Sequence, residues 1–115
     1  MTFKEIADMV NTIGLPYAYY SFPIGEAPDL PYVVFYYPSS DDFAADNQNY
    51  IPVTNVNLEL YTENKDFSSE QTVENVLKQY GIFYDKTESY IDSERMYQIL
   101  YEFQVMITEE DNNGE

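Results

Sequence analysis

The stretch Met96-Tyr97-Gln98-Ile99-Leu100-Tyr101-Glu102-Phe103-Gln104-Val105-Met106-Ile107 decides the fold. Tyr97, Ile99, Tyr101, Phe103, Val105 and Ile107 fall on one face, and Gln98, Leu100, Glu102 and Gln104 on the other. Side chains of a β-strand alternate between faces, so this pattern predicts a strand with one face in a core and one in water. The alternation holds for about eleven residues, against a usual five or six. A strand of that length is the spine of a sheet, and the rest of the chain must supply its neighbours and its cover.

The neighbours all precede it in sequence. Upstream, Tyr90-Ile91-Asp92-Ser93-Glu94 reads as a turn, and Ile82 to Thr87 as the start of a preceding strand. Val56, Leu58 and Leu60 alternate with Asn55, Asn57, Glu59 and Tyr61, which predicts a second half-buried strand from Val53. Tyr32-Val33-Val34-Phe35-Tyr36-Tyr37 is a continuous β-branched and aromatic run closed by Pro38, suited to a strand covered on both faces. Tyr17 to Phe22 is a brief aromatic strand that stops at Pro23, and residues 24–31 form a turn-rich connector.

Two helices supply the cover. Thr2 and Glu5 form a capping box, and Phe3, Ile6, Val10 and Ile13 recur at helical spacing until Gly14 and Pro16 end the segment. Ser68 and Gln71 read as a second capping box, followed by Val73, Val76, Leu77 and Tyr80 up to Gly81. The order is helix, three strands, helix, two strands. It predicts an α+β domain over 1–108, with a mainly antiparallel sheet of about five strands and two helices packed on one face. Residues 109–115 are acidic, lack an apolar anchor and read as a disordered tail.

Composition narrows the chemistry. The chain has no His and no Cys, a formal net charge of −16, and only Lys4, Lys65, Lys78, Lys86 and Arg95 as cations. The side chain that titrates near neutrality and the strongest side-chain nucleophile are both missing. No G-x-S-x-G elbow, Walker A or G-x-G-x-x-G sequence occurs, so the chain reads as a binding or structural protein without catalytic residues or cofactor. The scarcity of cations argues against direct binding of nucleic acid or of an anionic membrane surface. No apolar run approaches the roughly 20 residues of a membrane helix, and no signal peptide is visible.

Candidate contact residues fall in three places. Ser39 to Pro52 reads as a long loop, holding Asp41, Asp42, Phe43, Asp46, Asn47, Asn49 and Tyr50. Its acids invite a calcium reading, but no Gly takes the sharp-turn position and no Glu closes the loop, so it reads as a solvated contact loop rather than a metal site. On the outer sheet face, Tyr61 among Asn55, Asn57, Glu59, Gln98, Glu102 and Gln104 suits a wet, specific interface. Arg95 beside Glu94 and Asp92 either forms a bidentate pair, within the turn or across a subunit boundary, or is an ordinary surface ion pair. Edges of a small open sheet are also competent to pair with a partner strand.

Three segments carry a resemblance. They are Pro16-Tyr17-Ala18-Tyr19-Tyr20 running to Pro31-Tyr32-Val33-Val34-Phe35-Tyr36, then Val56-Asn57-Leu58-Glu59-Leu60-Tyr61-Thr62-Glu63, then Tyr90 through Phe103. Together they resemble the tail terminator proteins, also called tail-completion or head–tail joining proteins, of long-tailed bacteriophages and prophages. The resemblance covers most of residues 1 to 108 as a texture of strands and turns. It implies an α+β protomer in a homo-oligomeric ring, commonly a hexamer, which caps the tail tube and meets the head connector. It implies a virion component assembled in the host cytoplasm, with tail-tube and head-connector proteins as partners and no catalytic residues. In such a ring, the net charge would keep the lumen from adhering to passing DNA. A rival reading is an acidic inhibitor that mimics DNA, and a third is another tail or head-closure adaptor.

Overall fold

A computed structural model describes residues 1–45 and 49–108, of which Phe43–Ala45 and Asn49–Ile51 are described by their backbone alone. The elements in chain order are α1 (Phe3–Thr12), β1 (Tyr17–Tyr19), β2 (Tyr32–Tyr36), β3 (Phe43–Ala45), β4 (Asn49–Ile51), β5 (Val53–Thr62), α2 (Phe67–Gln79), β6 (Asp85–Ile91) and β7 (Met96–Met106). The α+β expectation holds. Five strands form one sheet in the order β1-β2-β5-β7-β6, and β3 and β4 form a separate antiparallel hairpin.

β7 is the spine that its alternation promised. It pairs with β5 from Val53↔Met106 to Thr62↔Tyr97 and with β6 from Asp85↔Glu102 to Ile91↔Met96, both antiparallel. Its odd-numbered residues Ile99, Tyr101, Phe103 and Val105 are buried. They join Val33 and Phe35 of β2 and Val56, Leu58 and Leu60 of β5 in one apolar cluster. Ile6, Met9 and Val10 of α1 and Val73, Val76 and Leu77 of α2 belong to the same cluster. Each fully buried aliphatic side chain there contributes about 1.5–3 kcal/mol of transfer free energy.

The sheet is mainly antiparallel as expected, with one parallel pair, β1 with β2. Several finer expectations are corrected. β1 is shorter than the predicted Tyr17–Phe22, because Tyr20 turns to φ 70° and leaves extended geometry. The 39–52 segment is not a featureless loop: Ser40 bridges Thr54, and the chain then folds into the β3–β4 hairpin. The predicted strand from Ile82 begins only at Asp85. The predicted turn at 90–94 moves to Asp92–Arg95, because Tyr90 and Ile91 still pair across to Tyr97 and Met96.

The helix ends follow local chemistry. Thr2 caps α1 with the full reciprocal box: the Glu5 N–H donates to Thr2 Oγ1 at 3.0 Å, and the Thr2 N–H donates to Glu5 Oε1 at 2.8 Å. In α2 the Ser68–Gln71 box does not form. Asp66 is the N-cap instead, accepting the Ser69 N–H at 3.0 Å and the Ser69 hydroxyl at 2.7 Å. A carboxylate that captures two donors from one residue outcompetes a hydroxyl two positions later. Residues 109–115, with the expected disordered tail, lie outside the described residues.

Candidate functional site

The sheet face opposite the apolar cluster is polar and bonded to itself. Tyr36 of β2 donates its hydroxyl to Glu59 Oε2 at 2.8 Å, and Tyr61 of β5 donates to Glu59 Oε1 at 2.6 Å. Asn57 Nδ2 donates to the Tyr36 hydroxyl oxygen at 3.2 Å, and Gln98 Nε2 of β7 donates to that of Tyr61 at 2.8 Å. Period two places these groups on one face, and the pairings Tyr36↔Asn57 and Tyr61↔Gln98 place them side by side. Burial and the hydrogen bond to Glu59 hold the Tyr61 phenol well above its ordinary pKa. Tyr61 is therefore a half-buried member of a network rather than a free contact group.

A second polar chain continues along this face toward the opposite end of β5. Asn55 Nδ2 donates to Ser39 Oγ at 2.8 Å and to Asp41 Oδ2 at 2.7 Å. Gln104 Nε2 of β7 donates to Asn55 Oδ1 at 2.9 Å and to Asp41 at 3.2 Å. Asp42 accepts the Val53 N–H at 3.0 Å. These two acids thus anchor the base of the hairpin to the sheet, a structural role that a contact-loop reading did not anticipate.

The remaining sequence candidates are not brought together. Phe43 and Tyr50 lie in the hairpin strands, in backbone register with Ile51 and Ala44 respectively. Asp46 lies outside the described residues. Glu94 and Arg95 sit in the exposed β6–β7 turn, where Arg95 adopts φ 53°. Among the described residues no ion pair involves Arg95, so the pairing within the turn with Glu94 or Asp92 does not form. Instead the Glu94 charge, after burial, lifts the pKa of Tyr32 on β2.

The ion pairs that sequence reasoning missed lie under α2. Glu70 is 2% exposed, with Lys65 Nζ at 2.6 Å from Oε2 and Lys86 Nζ at 2.8 Å from Oε1, an ion-pair contact outside hydrogen-bond alignment. Lys65 also meets Glu88 at 2.5 Å, and Lys86 meets Glu74 at 2.6 Å. The buried Tyr101 hydroxyl donates to the same Glu74 oxygen at 2.8 Å. Burial pushes the Glu70 carboxyl up, but the two lysines outweigh it and its pKa ends lowered. This cluster clamps α2 to β6 and β7. Its signal was in the sequence: Glu70, Val73 and Leu77 share the i, i+3, i+7 stripe that faces inward.

Charge is distributed unevenly. Residues 9–25 contain no Asp, Glu, Lys or Arg, and only Glu5, Asp8, Glu26 and Asp29 of the 21 acids precede residue 41. The β1 edge that this segment builds is aromatic: Tyr17, Tyr19 and Tyr20 are 38%, 52% and 67% exposed. Tyr19 stacks edge-on against Phe35 at 5.3 Å, and Tyr20 against Tyr36 at 5.6 Å. The other seventeen acids lie from residue 41 onward, four of them in β5, β6 and β7 and the rest mainly in turns, α2 and the C-terminal residues.

Comparison with known proteins gives a fold. One chain of a solved structure described as "Virion of native gene transfer agent (GTA) particle" superposes with a TM-score of 0.58 at 14% sequence identity. The match covers 91% of this chain and 87% of that one. The two share an architecture. No family model and no curated protein matches the sequence. Among the described residues, no helix is long and apolar enough to cross a membrane.

Proposed function

We propose that this chain is a structural protein of a phage or phage-derived particle. Within it the chain serves as the tail terminator, a homo-oligomeric ring that ends the tail tube and meets the head connector. The observation that supports this reading is the likeness, over nearly the whole length of both chains, to a chain of a gene transfer agent virion. The site chemistry supports it. The conspicuous polar groups, Glu59, Glu70, Tyr61 and Tyr101, are spent on holding strands and helix together, which suits a scaffold rather than an enzyme.

The uneven charge gives the ring its contact surface. Copies carrying sixteen net negative charges repel one another, and the repulsion is least where charge is least. The β1 edge is that place, and its exposed tyrosines are the side chains enriched at interfaces. The acids that follow residue 40 then face other directions, including the lumen through which DNA passes. The DNA-mimic reading loses support, because the acids of α2 that would form its rows, Glu70 and Glu74, are neutralised by Lys65 and Lys86.

Light scattering on the purified protein, alone and mixed with a candidate tail-tube protein, tests the reading. A ring-sized species is expected, either alone or on mixing, and Tyr19→Asp with Tyr20→Asp should disperse it to monomers. A monomer that ignores the tube protein at every concentration would overturn the terminator role.

A further inference from the structure

The β6–β7 ladder stops early. β6 begins at Asp85, opposite Glu102, yet β7 runs on to Met106. Residues 82–84 leave the sheet, because the Ile82 N–H turns back to cap α2 on the Leu77 carbonyl at 2.9 Å. The Ile107 N–H donates to the Pro52 carbonyl, so odd-numbered residues of β7 bond toward β5 and even-numbered ones toward the other side. The N–H and C=O of Gln104 and the N–H of Met106 therefore point into the gap, with no ladder partner among the described residues. Met1 closes the far end by donating its N–H to the Met106 carbonyl at 2.9 Å.

The gap opens into a cleft of about 780 Å3 that runs across the polar face from Ser39 to Asp85. One wall is Phe83, 95% exposed, an aromatic ring left in water beside an unpaired strand edge. The other groups that matter are Asp85 and Glu102. They are direct cross-strand partners on one face, both exposed, and neither forms an ion pair among the described residues. Like charges directly opposite one another destabilise an antiparallel pair. No Lys or Arg lines the cleft, since Lys86 points to the other face and is held by Glu70 and Glu74.

We propose that this cleft receives an extended segment of a protein partner bearing Lys or Arg. The segment adds a short strand to the Phe103–Met106 edge and sets its cation between Asp85 and Glu102. Backbone pairing with Gln104 and Met106 provides the docking energy common to strand addition, and alternate side chains read the pocket. An apolar residue next to the cation packs on Phe83. The four-residue edge spans about 13 Å, so the docked stretch is three or four residues long. Charge decides the occupant: a second copy of this acidic chain would bring repulsion to a site already overloaded with carboxylates. The inference does not depend on the ring reading, because the docking edge belongs to β7, which two strands separate from β1.

The test uses a displayed library of short random peptides, selected on the full chain and on the Asp85→Asn, Glu102→Gln variant. Selection on the parent should enrich Lys or Arg alternating with apolar residues, and selection on the variant should lose that enrichment. The enriched peptide should bind the Phe83→Ala protein at least ten-fold more weakly and shift the Gln104 and Met106 amide resonances. The double variant should melt no lower than the parent, which separates lost binding from lost folding. Absence of enrichment, enrichment indifferent to the two carboxylates, or amide shifts elsewhere would each overturn the proposal. So would a dimer of the chain that Phe83→Ala abolishes, because a second copy would then be the occupant.

Discussion

At the scale of the residue, Glu70 governs more than its position suggests. Its buried carboxylate holds two lysines that arrive from different elements, Lys65 before α2 and Lys86 on β6. Glu70→Gln leaves those lysines with Glu88 and Glu74, so the cost is moderate: about 1–3 kcal/mol, read as a fall in melting temperature of roughly 5–15 °C. The pH dependence has a definite sign. The folded pKa of Glu70 lies below its ordinary 4.5, so in acid the unfolded chain binds the proton first. The stability it contributes is present above pH 4.5 and lost as pH falls through the lowered value, and the Gln variant should show a flatter acid limb in a denaturation series. Tyrosines act at the other end. Burial raises Tyr37 to about 12, and Tyr61 and Tyr101 are also raised, in part by their carboxylate neighbours. The unfolded chain then loses protons first above pH 10.0, so stability falls from that point upward as tyrosinate absorbance appears together with loss of structure. Glu70 lies in the first turn of α2, where the helix dipole favours negative charge. The spacing to Val73 and Leu77 carried the inward orientation, but a charged residue on an apolar stripe stays hidden until its cations are seen to come from distant positions.

Elements show where local rules compete. Asp66 and Ser68 both carry the chemistry of a cap at the start of α2, and the full box pattern favours Ser68. The helix starts at Asp66, whose carboxylate pKa is lowered first by the Ser69 backbone N–H and then by the Ser69 hydroxyl. Asp66→Ala should destabilise the protein by about 1 kcal/mol, whereas Ser68→Ala should change it by less than about 0.5 kcal/mol. Thermal melts of the two variants check the assignment, and equal losses would refute it. Strands with strict alternation, β5 and β7, were legible to within a residue because one buried face fixes both register and extent. β6 was not: its seven residues are nearly all exposed, so no apolar period marks where pairing begins. The β3–β4 hairpin was invisible for a related reason, since it pairs as a sheet of its own, apart from the five strands. The polar network on the sheet face was legible as a list of residues but not as bonds, because all its partners except Tyr61 and Glu59 lie 14 to 63 positions apart.

For the whole molecule, excess charge sets the terms. Sixteen net negative charges oppose the compact state, and the Debye length shrinks from about 30 Å at 0.01 M salt to about 8 Å at 0.15 M. The melting temperature should therefore rise over that range, although the ion pairs under α2 weaken slightly. A fall would mean that those pairs outweigh the global repulsion. The sequence states this charge in full, but where it goes depends on topology: parallel pairing puts the uncharged β1 at one margin of the sheet and leaves acidic β6 at the other. That asymmetry has a practical face. Anchored to a cationic bead, the molecules would settle with β6 down and their tyrosines toward the buffer, so immobilisation itself would present the β1 margin, uniformly oriented, to whatever flows past.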